Sequence, residues 1–248
     1  MGEKYCYDYP RAAITTDCVV FGFDGENLKI LLIKRGLEPF KGRWALPGGF
    51  MNMNETTNQC AERELKEETG VSGVFMKQIQ SFSTVDRDPR GRVVTVAYYA
   101  LINPQLFNKI VVAVGDDAAD AKWFPLEKVL NESFPAFDHL EIIRTATAKL
   151  RQEIKHYPIA FELLDARFTI KQLQSVYELI LDKKFDRANF HKKMVGMKPK
   201  KELRKNMGIL IDTGEVVSGA KHKPARIYMF DRLRFEKLME KGDFTFDF

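Results

Sequence analysis

GFMNMNETTNQCAERELKEETGV, running from Gly49 to Val71, is the stretch from which the rest of the chain can be read. Thr56 to Thr69 carries a helical pattern, and Gly70 stands where a helix commonly ends on a left-handed residue. On that helix Glu64, Glu67 and Glu68 fall at i, i+3 and i+4, so three carboxylates share one face. Like charges this close repel unless a cation compensates them, and oxygen ligands select a hard ion, Mg2+ or Mn2+, rather than zinc. Such an ion bridges a few carboxylates to substrate phosphates, which makes a pyrophosphate the natural group to bind, and it activates a bound water as nucleophile. Arg63 lies one turn before Glu67 and is placed to orient it through a charge-assisted bond. Gly48 and Gly49 let the backbone turn sharply, and Glu55 sits at the helix start, where its charge suits the dipole. The alternative reading of the same residues is a solvated acidic face.

Outward from this helix the first half alternates strands and turns. Ala13 to Phe23 and Leu28 to Lys34 read as a hairpin around Asp24-Gly25-Glu26-Asn27. Val74 to Phe82 and Val93 to Ile102 read as further strands, separated by the polar loop Asp86 to Arg92. A second helical pattern spans about Asp138 to Ile154. Layered strands with few helices predict an α/β or α+β sandwich. Beyond Tyr157-Pro158 the pattern changes: Thr169 and Gln172 form a capping-box signature, and Ile170, Leu173, Val176, Tyr177, Ile180 and Leu181 recur at helical spacing. After a turn at Lys183 to Phe185, Asp186 and Asn189 open another helix that carries Phe190 and Met194 inward. Val216-Val217 and Ala225 to Phe230 then flank the tip Ser218 to Pro224 as a hairpin. Helix, turn, helix and basic hairpin is the order of a winged helix-turn-helix.

Charge follows the same division. Residues 1–150 hold 18 Lys+Arg against 20 Asp+Glu, net −2, and residues 151–248 hold 21 against 14, net +7. The basic surplus suggests a polyanionic partner for the second half, although Lys-rich surfaces also serve solubility. From Lys183 to Lys205 ten Lys or Arg stand against Asp186 and Glu202. The second helix of the pair exposes Arg187, Asn189, His191 and Lys192. Arg and Asn are the types that read guanine and adenine edges, while lysines position on phosphates. Lys221, Lys223 and Arg226 on the hairpin are placed to reach the flanking DNA backbone; the competing reading of this run is a solvated face. Cys6, Cys18 and Cys60 have unrelated spacings and suit neither a disulfide framework nor a zinc site. No stretch approaches the ~20 apolar residues of a membrane span, so a cytoplasmic protein without a membrane partner is expected.

With Gly49, Glu55, Arg63, Glu64, Leu65, Glu67, Glu68, Gly70 and Val71 all in place, residues 49–71 resemble the Nudix box. The similarity extends across about residues 11–150, including Trp44-Ala45-Leu46-Pro47-Gly48-Gly49 and Trp123-Phe124-Pro125-Leu126. It implies a Mg2+-dependent (or Mn2+-dependent) pyrophosphohydrolase with Arg63, Glu64, Glu67 and Glu68 as catalytic residues and the three glutamates as metal ligands. Gly48 and Gly49 then belong to the substrate site. The general base is either Glu64 or a residue from the loop bearing Asp116, Asp117 and Asp120. Asp88-Pro89-Arg90-Gly91-Arg92-Val93 resembles the segment of Nudix enzymes and sensors that handle ADP-ribose, which gives Arg90 and Arg92 a ligand role; a Pro/Gly turn explains the spacing equally well. ADP-ribose and other nucleoside-diphosphate compounds both remain open.

A Nudix domain followed by a winged helix resembles the Nudix-related transcriptional regulators of NAD and sugar metabolism. Some of these have degenerate boxes, whereas the box here is intact. The expected organisation is therefore a Nudix sandwich domain over residues 1–154 and a winged helix-turn-helix domain over 155–248. The expected function is a homodimeric regulator that binds double-stranded DNA and binds, and hydrolyses, its effector. The alternative is a stand-alone Nudix pyrophosphohydrolase whose C-terminal domain serves dimerisation or substrate binding.

Overall fold

Strand β1 (Ala13–Phe23) is buried at every position from Thr15 to Phe23, and β2 (Leu28–Arg35) is buried over most of its length. Strands of this kind are covered on both faces, so the apolar runs require a layer on each side of the sheet. The turn between them is closed by Asp24, whose Oδ1 accepts from the N–H groups of Glu26 and Asn27 at 2.9 and 2.7 Å. The computed structural model describes residues 7–107, 118–132, 134–196, 208–217 and 224–241. Among them, β3 (Trp44–Ala45), β2, β1, β6 (Val93–Ile102) and β5 (Phe75–Phe82) run in that order; β4 (Gly48–Phe50) pairs with β1 and β7 (Ala118–Pro125) with β2.

Helix α1 (Thr57–Thr69) lies in contact with β4. Thr56 and Gln59 form a complete capping box, and Gly70, at φ 72°, closes the helix by donating to the Lys66 carbonyl. Cys60, Ala61, Leu65 and Thr69 are its buried stripe, so Glu64 and Glu68 stand at the margin of the core. After β6 come a single helical turn α2 (Pro104–Phe107), β7, α3 (Leu126–Glu132) and α4 (His139–Glu153), which buries Ile142, Ile143, Ala146 and Leu150 completely. No helix among the described residues is long and apolar enough to cross a membrane.

The chain divides into two compact units, with the division inside α4 between Ala146 and Thr147; the second unit also takes in Gly22–Leu28 and the stretch that begins at Ile102 and includes α2. In that unit a 3-10 turn (Ile159–Leu163) leads to β8 (Phe168–Thr169), α5 (Ile170–Leu181) and α6 (Arg187–Gly196). Thr169 and Gln172 form the expected capping box, and Phe190 and Met194 point α6 into the core. Three antiparallel strands follow the order β8, β10 (Arg226–Phe230), β9 (Leu210–Val216), and Phe230 stacks on Phe161 at 4.2 Å. Helix α7 (Arg232–Glu240) ends the described residues. The result is a mixed α/β unit built on a seven-stranded sheet, followed by a unit with the helix, helix and hairpin order of a winged helix.

Three expectations change. Asp120 lies in β7, opposite Lys34, rather than in a loop. The segment Ala118–Pro125 lacks the β-branched residues that advertise a strand, and antiparallel pairing along Lys29–Arg35 overrides that weak propensity. Strand β9 begins at Leu210, well before Val216. Glu55 precedes the cap Thr56, so its charge is answered by Arg63 rather than by the helix dipole. Asp116, Asp117, Lys221 and Lys223 lie outside the described residues.

Candidate functional site

The end of β4 and the inward margin of α1 build the acidic site. The Gly48 N–H donates to Glu68 Oε2 at 2.8 Å. A Cβ at Gly48 would stand 2.1 Å from the Thr16 carbonyl oxygen, and one at Gly49 would stand 2.3 Å from Glu64 Oε1. Both glycines therefore allow close approach, one to backbone and one to the Glu64 carboxylate. Arg63 is the hub: Nε and Nη2 grip Glu55 at 3.0 and 2.6 Å, Nη1 donates to Glu64 at 2.7 Å and to Glu67 at 3.1 Å, and Nη2 donates to the Phe50 carbonyl at 3.1 Å. Its bonds to Glu55 push the guanidinium upward, and the same bonds, with an N–H from Asn52, hold Glu55 down at about 2. Glu64 is pushed up by burial against the opposing pull of Arg63. Glu68 is pushed up to about 8, first by burial and then by Glu64 and Asp17, against the Gly48 bond.

The loop between β5 and β6 presents three arginines with different duties. Arg87 is buried; its Nε and Nη2 hold the Asp138 carboxylate at 2.9 and 2.7 Å, and Nη2 reaches Asp17 at 3.3 Å. His139 completes this network, accepting from the Leu46 N–H at Nδ1 (2.8 Å) and setting Nε2 3.4 Å from Asp17. Burial lowers the His139 pKa, and an Nδ1 that accepts carries no proton, so the neutral ring presents Nε2–H to Asp17. Arg90 makes a fork to Asp88 (Nε 3.0 Å, Nη2 2.7 Å) and lies 4.8 Å over the Phe50 ring. Burial pushes Asp88 up, yet its bonds from Arg90 bring it below the usual carboxylate range. Arg92 is spent on the carbonyls of Ser83 and Thr84 at 2.9 and 3.3 Å, closing the loop.

In the second unit, Asp186 caps α6 by accepting from the Asn189 N–H at 2.9 Å. With Phe190 and Met194 inward, Arg187, Asn189, His191 and Lys192 are all exposed. A cavity of about 580 Å³ beside the start of α6 is lined by four lysines, among them Lys183 and Lys193, together with Asp186, Asn189 and the apolar side chains of Leu181, Phe185 and Phe190. Arg226 is engaged by Asp212 on the facing strand at 2.6 Å, with its side chain still largely exposed.

The Nudix domain model matches residues 11–145. The chain belongs to the Nudix family. The model of the NrtR DNA-binding winged helix domain matches residues 160–230 of the same Nudix protein. It is 33% identical to the ADPR responsive transcriptional repressor NtrR of Acinetobacter baylyi over 225 residues, covering 90% of this chain and 84% of the relative. An identity of 39% over 144 residues relates it to the ADP-ribose pyrophosphatase of Methanocaldococcus jannaschii, covering 57% of this chain and 76% of that enzyme. The crystal structure of Shewanella oneidensis NrtR complexed with a 27mer DNA superposes with a TM-score of 0.74 at 31% identity, covering 94% of this chain and 97% of the other.

In this Nudix protein the fold gathers Gly48, Gly49, Arg63, Glu64, Glu67 and Glu68, while Arg92 is turned to loop closure. The donor set is hard oxygen, which suits Mg2+ or Mn2+, and burial raises the pKa of two of its members, Glu64 and Glu68. No three acidic, His or Cys side chains among the described residues form a ready-made cage. That fits an ion held by a few carboxylates together with the phosphates of its ligand. Sequence spacing did not reveal Arg87, Asp17, Asp138 and His139, because each finds its partner across the fold; the alternating Asp86-Arg87-Asp88 charges are the one local signal.

Proposed function

We propose that this Nudix protein is a DNA-binding repressor responsive to ADP-ribose or a related nucleoside-diphosphate compound, and that it hydrolyses this ligand with Mg2+ or Mn2+. The two tasks divide between residues 1–154 and 155–248. The carrying observation is the intact Arg63 hub over Glu55, Glu64 and Glu67 in a chain that also exposes Arg187 and Asn189 on α6. Similarity to an ADPR responsive repressor and to an ADP-ribose pyrophosphatase supports both halves of this reading.

Glu64, Glu67 and Glu68 would hold the ion, which supplies charge neutralisation at the phosphoryl oxygens and a more acidic water. Arg63 orients Glu64 and Glu67, and the Gly48 N–H fixes one oxygen of Glu68. Arg187 and Asn189 would read base edges, and Lys192 would lie on a phosphate. Lys221, Lys223 and Arg226 would reach the flanking backbone once Arg226 leaves Asp212. One such helix and wing reach few phosphates, so a homodimer on two half-sites is expected.

A duplex selected by the protein from a randomised pool, titrated by fluorescence anisotropy in EDTA, tests the reading. Saturating ADP-ribose is expected to weaken DNA binding, and the duplex to weaken ADP-ribose binding by the same factor. Identical DNA affinity with and without ADP-ribose would refute the coupling. Magnesium-dependent turnover without such coupling favours the second reading, a stand-alone pyrophosphohydrolase, which the complete carboxylate hub supports.

A further inference from the structure

Three successive backbone groups leading into the acidic site are each held by a different partner. The Leu46 N–H donates to His139 Nδ1 at 2.8 Å, the Pro47 carbonyl accepts from the Cys18 N–H at 2.8 Å, and the Gly48 N–H donates to Glu68 at 2.8 Å. Cys18 lies in β1 and Glu68 in α1, whereas His139 comes from the start of α4, 93 residues beyond Leu46. Pro47 stands between the two donated amides, and its ring fixes φ. The orientation of the Leu46 amide therefore carries over to Gly48 with little freedom.

His139 is itself closely set. The Ala136 N–H donates to the Trp44 carbonyl at 2.7 Å, and the His139 N–H returns to the Ala136 carbonyl at 3.2 Å. Between them Phe137 has φ 52°, a conformation that bulky residues rarely adopt. Such strain persists where the surroundings impose it, and it concentrates at functional sites. The ring Nε2 stands 3.4 Å from Asp17 Oδ1, while Arg87 takes the other oxygen at 3.3 Å. Asp17 is the residue paired with Gly48 across β1 and β4, and a Cβ at Gly48 would lie 3.0 Å from the Asp17 carboxylate. The imidazole thus bears on Gly48 from two sides, along the chain through Leu46 and across the sheet through Asp17. Both contacts need a buried ring with one acceptor and one donor.

We propose that His139 is a positioning residue for Glu68: by holding the Leu46 amide and the Asp17 carboxylate, it aims the Gly48 N–H at Glu68. This deepens the proposed function and rests on it for the metal role of Glu68. The imidazole touches neither the carboxylate nor the ligand and acts only through Gly48.

The test uses the full chain, 15N-labelled and in EDTA, as wild type, His139→Phe and His139→Asn. Phenylalanine keeps a ring and loses both nitrogens, whereas asparagine returns an acceptor near the place of Nδ1. In the wild type a hydrogen-bond coupling between the Leu46 nitrogen and His139 Nδ1 is expected, and its absence overturns the proposal even if a variant does not fold. In His139→Phe the Gly48 amide proton is expected to move upfield as its bond to a carboxylate weakens, and in His139→Asn to return towards its wild-type position. The Gly70 amide, bonded to the Lys66 carbonyl at the far end of α1, is expected to stay in place in both. Mn2+ affinity, read by electron paramagnetic resonance after EDTA is removed, is expected to fall about tenfold in His139→Phe and to recover in His139→Asn, as is common when a group supporting a metal ligand is lost. A Gly48 amide that stays in His139→Phe, moves only together with Gly70, or fails to return in His139→Asn overturns the positioning role. So does Mn2+ affinity that His139→Phe leaves unchanged. A Gly48 amide that responds as expected, in a protein whose wild type binds no Mn2+, supports the positioning of Glu68 and overturns the proposed metal function.

Discussion

Arg87 and Asp138 meet through two parallel bonds, Nε to Oδ2 at 2.9 Å and Nη2 to Oδ1 at 2.7 Å, with the guanidinium almost wholly buried. Asp138 immediately precedes α4, and its carbonyl accepts from the Glu141 and Ile142 N–H groups, so the pair pins the start of that helix. Removing one partner of such a pair leaves the other charge desolvated. Arg87→Met is therefore expected to destabilise the Nudix domain by about 3–5 kcal/mol. Chemical denaturation of Arg87→Met beside the double variant Arg87→Met/Asp138→Asn checks this, with the double variant recovering part of the loss. Equal loss in both would show that the charge left behind is not the cost.

The two glycines before α1 predict opposite phenotypes. At Gly48 a methyl group meets the backbone of Thr16 at 2.1 Å, which cannot move cheaply. At Gly49 it meets the end of the Glu64 side chain, which can swing away at the expense of its function. Gly48→Ala should lower the melting temperature markedly. Gly49→Ala should stay folded and lose most ADP-ribose turnover, at least about tenfold, since each misplaced catalytic group commonly costs that or more. Melting and steady-state kinetics measured together distinguish them.

Glu68 makes the metal-free stability depend on pH. Its folded pKa of about 8 lies above the unfolded value of 4.5, so the folded state binds more protons between those pH values. Stability is then fully present below about 4.5 and declines as pH rises through 8, the reverse of a salt-bridged carboxylate. In EDTA the melting temperature should fall over that window. Glu68→Gln should remove most of this fall, and Mg2+ should oppose it in the wild type by favouring the carboxylate. A melting temperature that rises from pH 5 to 8 in both proteins would contradict the assignment.

In the winged helix Lys192, Arg187 and Asn189 are all exposed, and the proposed roles of phosphate binding for the first and base reading for the other two can be told apart. Lys192→Ala should make the log-log salt dependence of DNA binding shallower by about 0.9 for each phosphate no longer neutralised. Asn189→Ala and Arg187→Ala should leave that slope closer to wild type and relax sequence preference by about 1–3 kcal/mol at the base pair each one reads. Competition titrations at several salt concentrations, with matched and mismatched duplexes, read both quantities. A uniform loss on every duplex from Asn189→Ala would place that residue on the backbone instead.

Much of this molecule is written in short-range spacing. Thr56, Gln59 and Gly70 bracket α1, Thr169 and Gln172 open α5, and Glu64, Glu67 and Glu68 share a face because a helix repeats every 3.6 residues. The sequence alone determined those elements, the acidic site and the order of the basic winged helix, since each depends on neighbours within one or two turns. Only the tertiary structure decided that Ala118–Pro125 is a strand, because its pairing partner is β2. It likewise separated three arginines that look alike in the chain: Arg87 goes to Asp138, 51 residues away, Arg90 to Asp88 and the Phe50 ring, and Arg92 to the carbonyls of its own loop. A guanidinium carries the same charge and the same five donors wherever it stands in a sequence. Which acceptor it meets, and whether water or protein surrounds it, is set by where the chain returns, and that return is a property of the packed core.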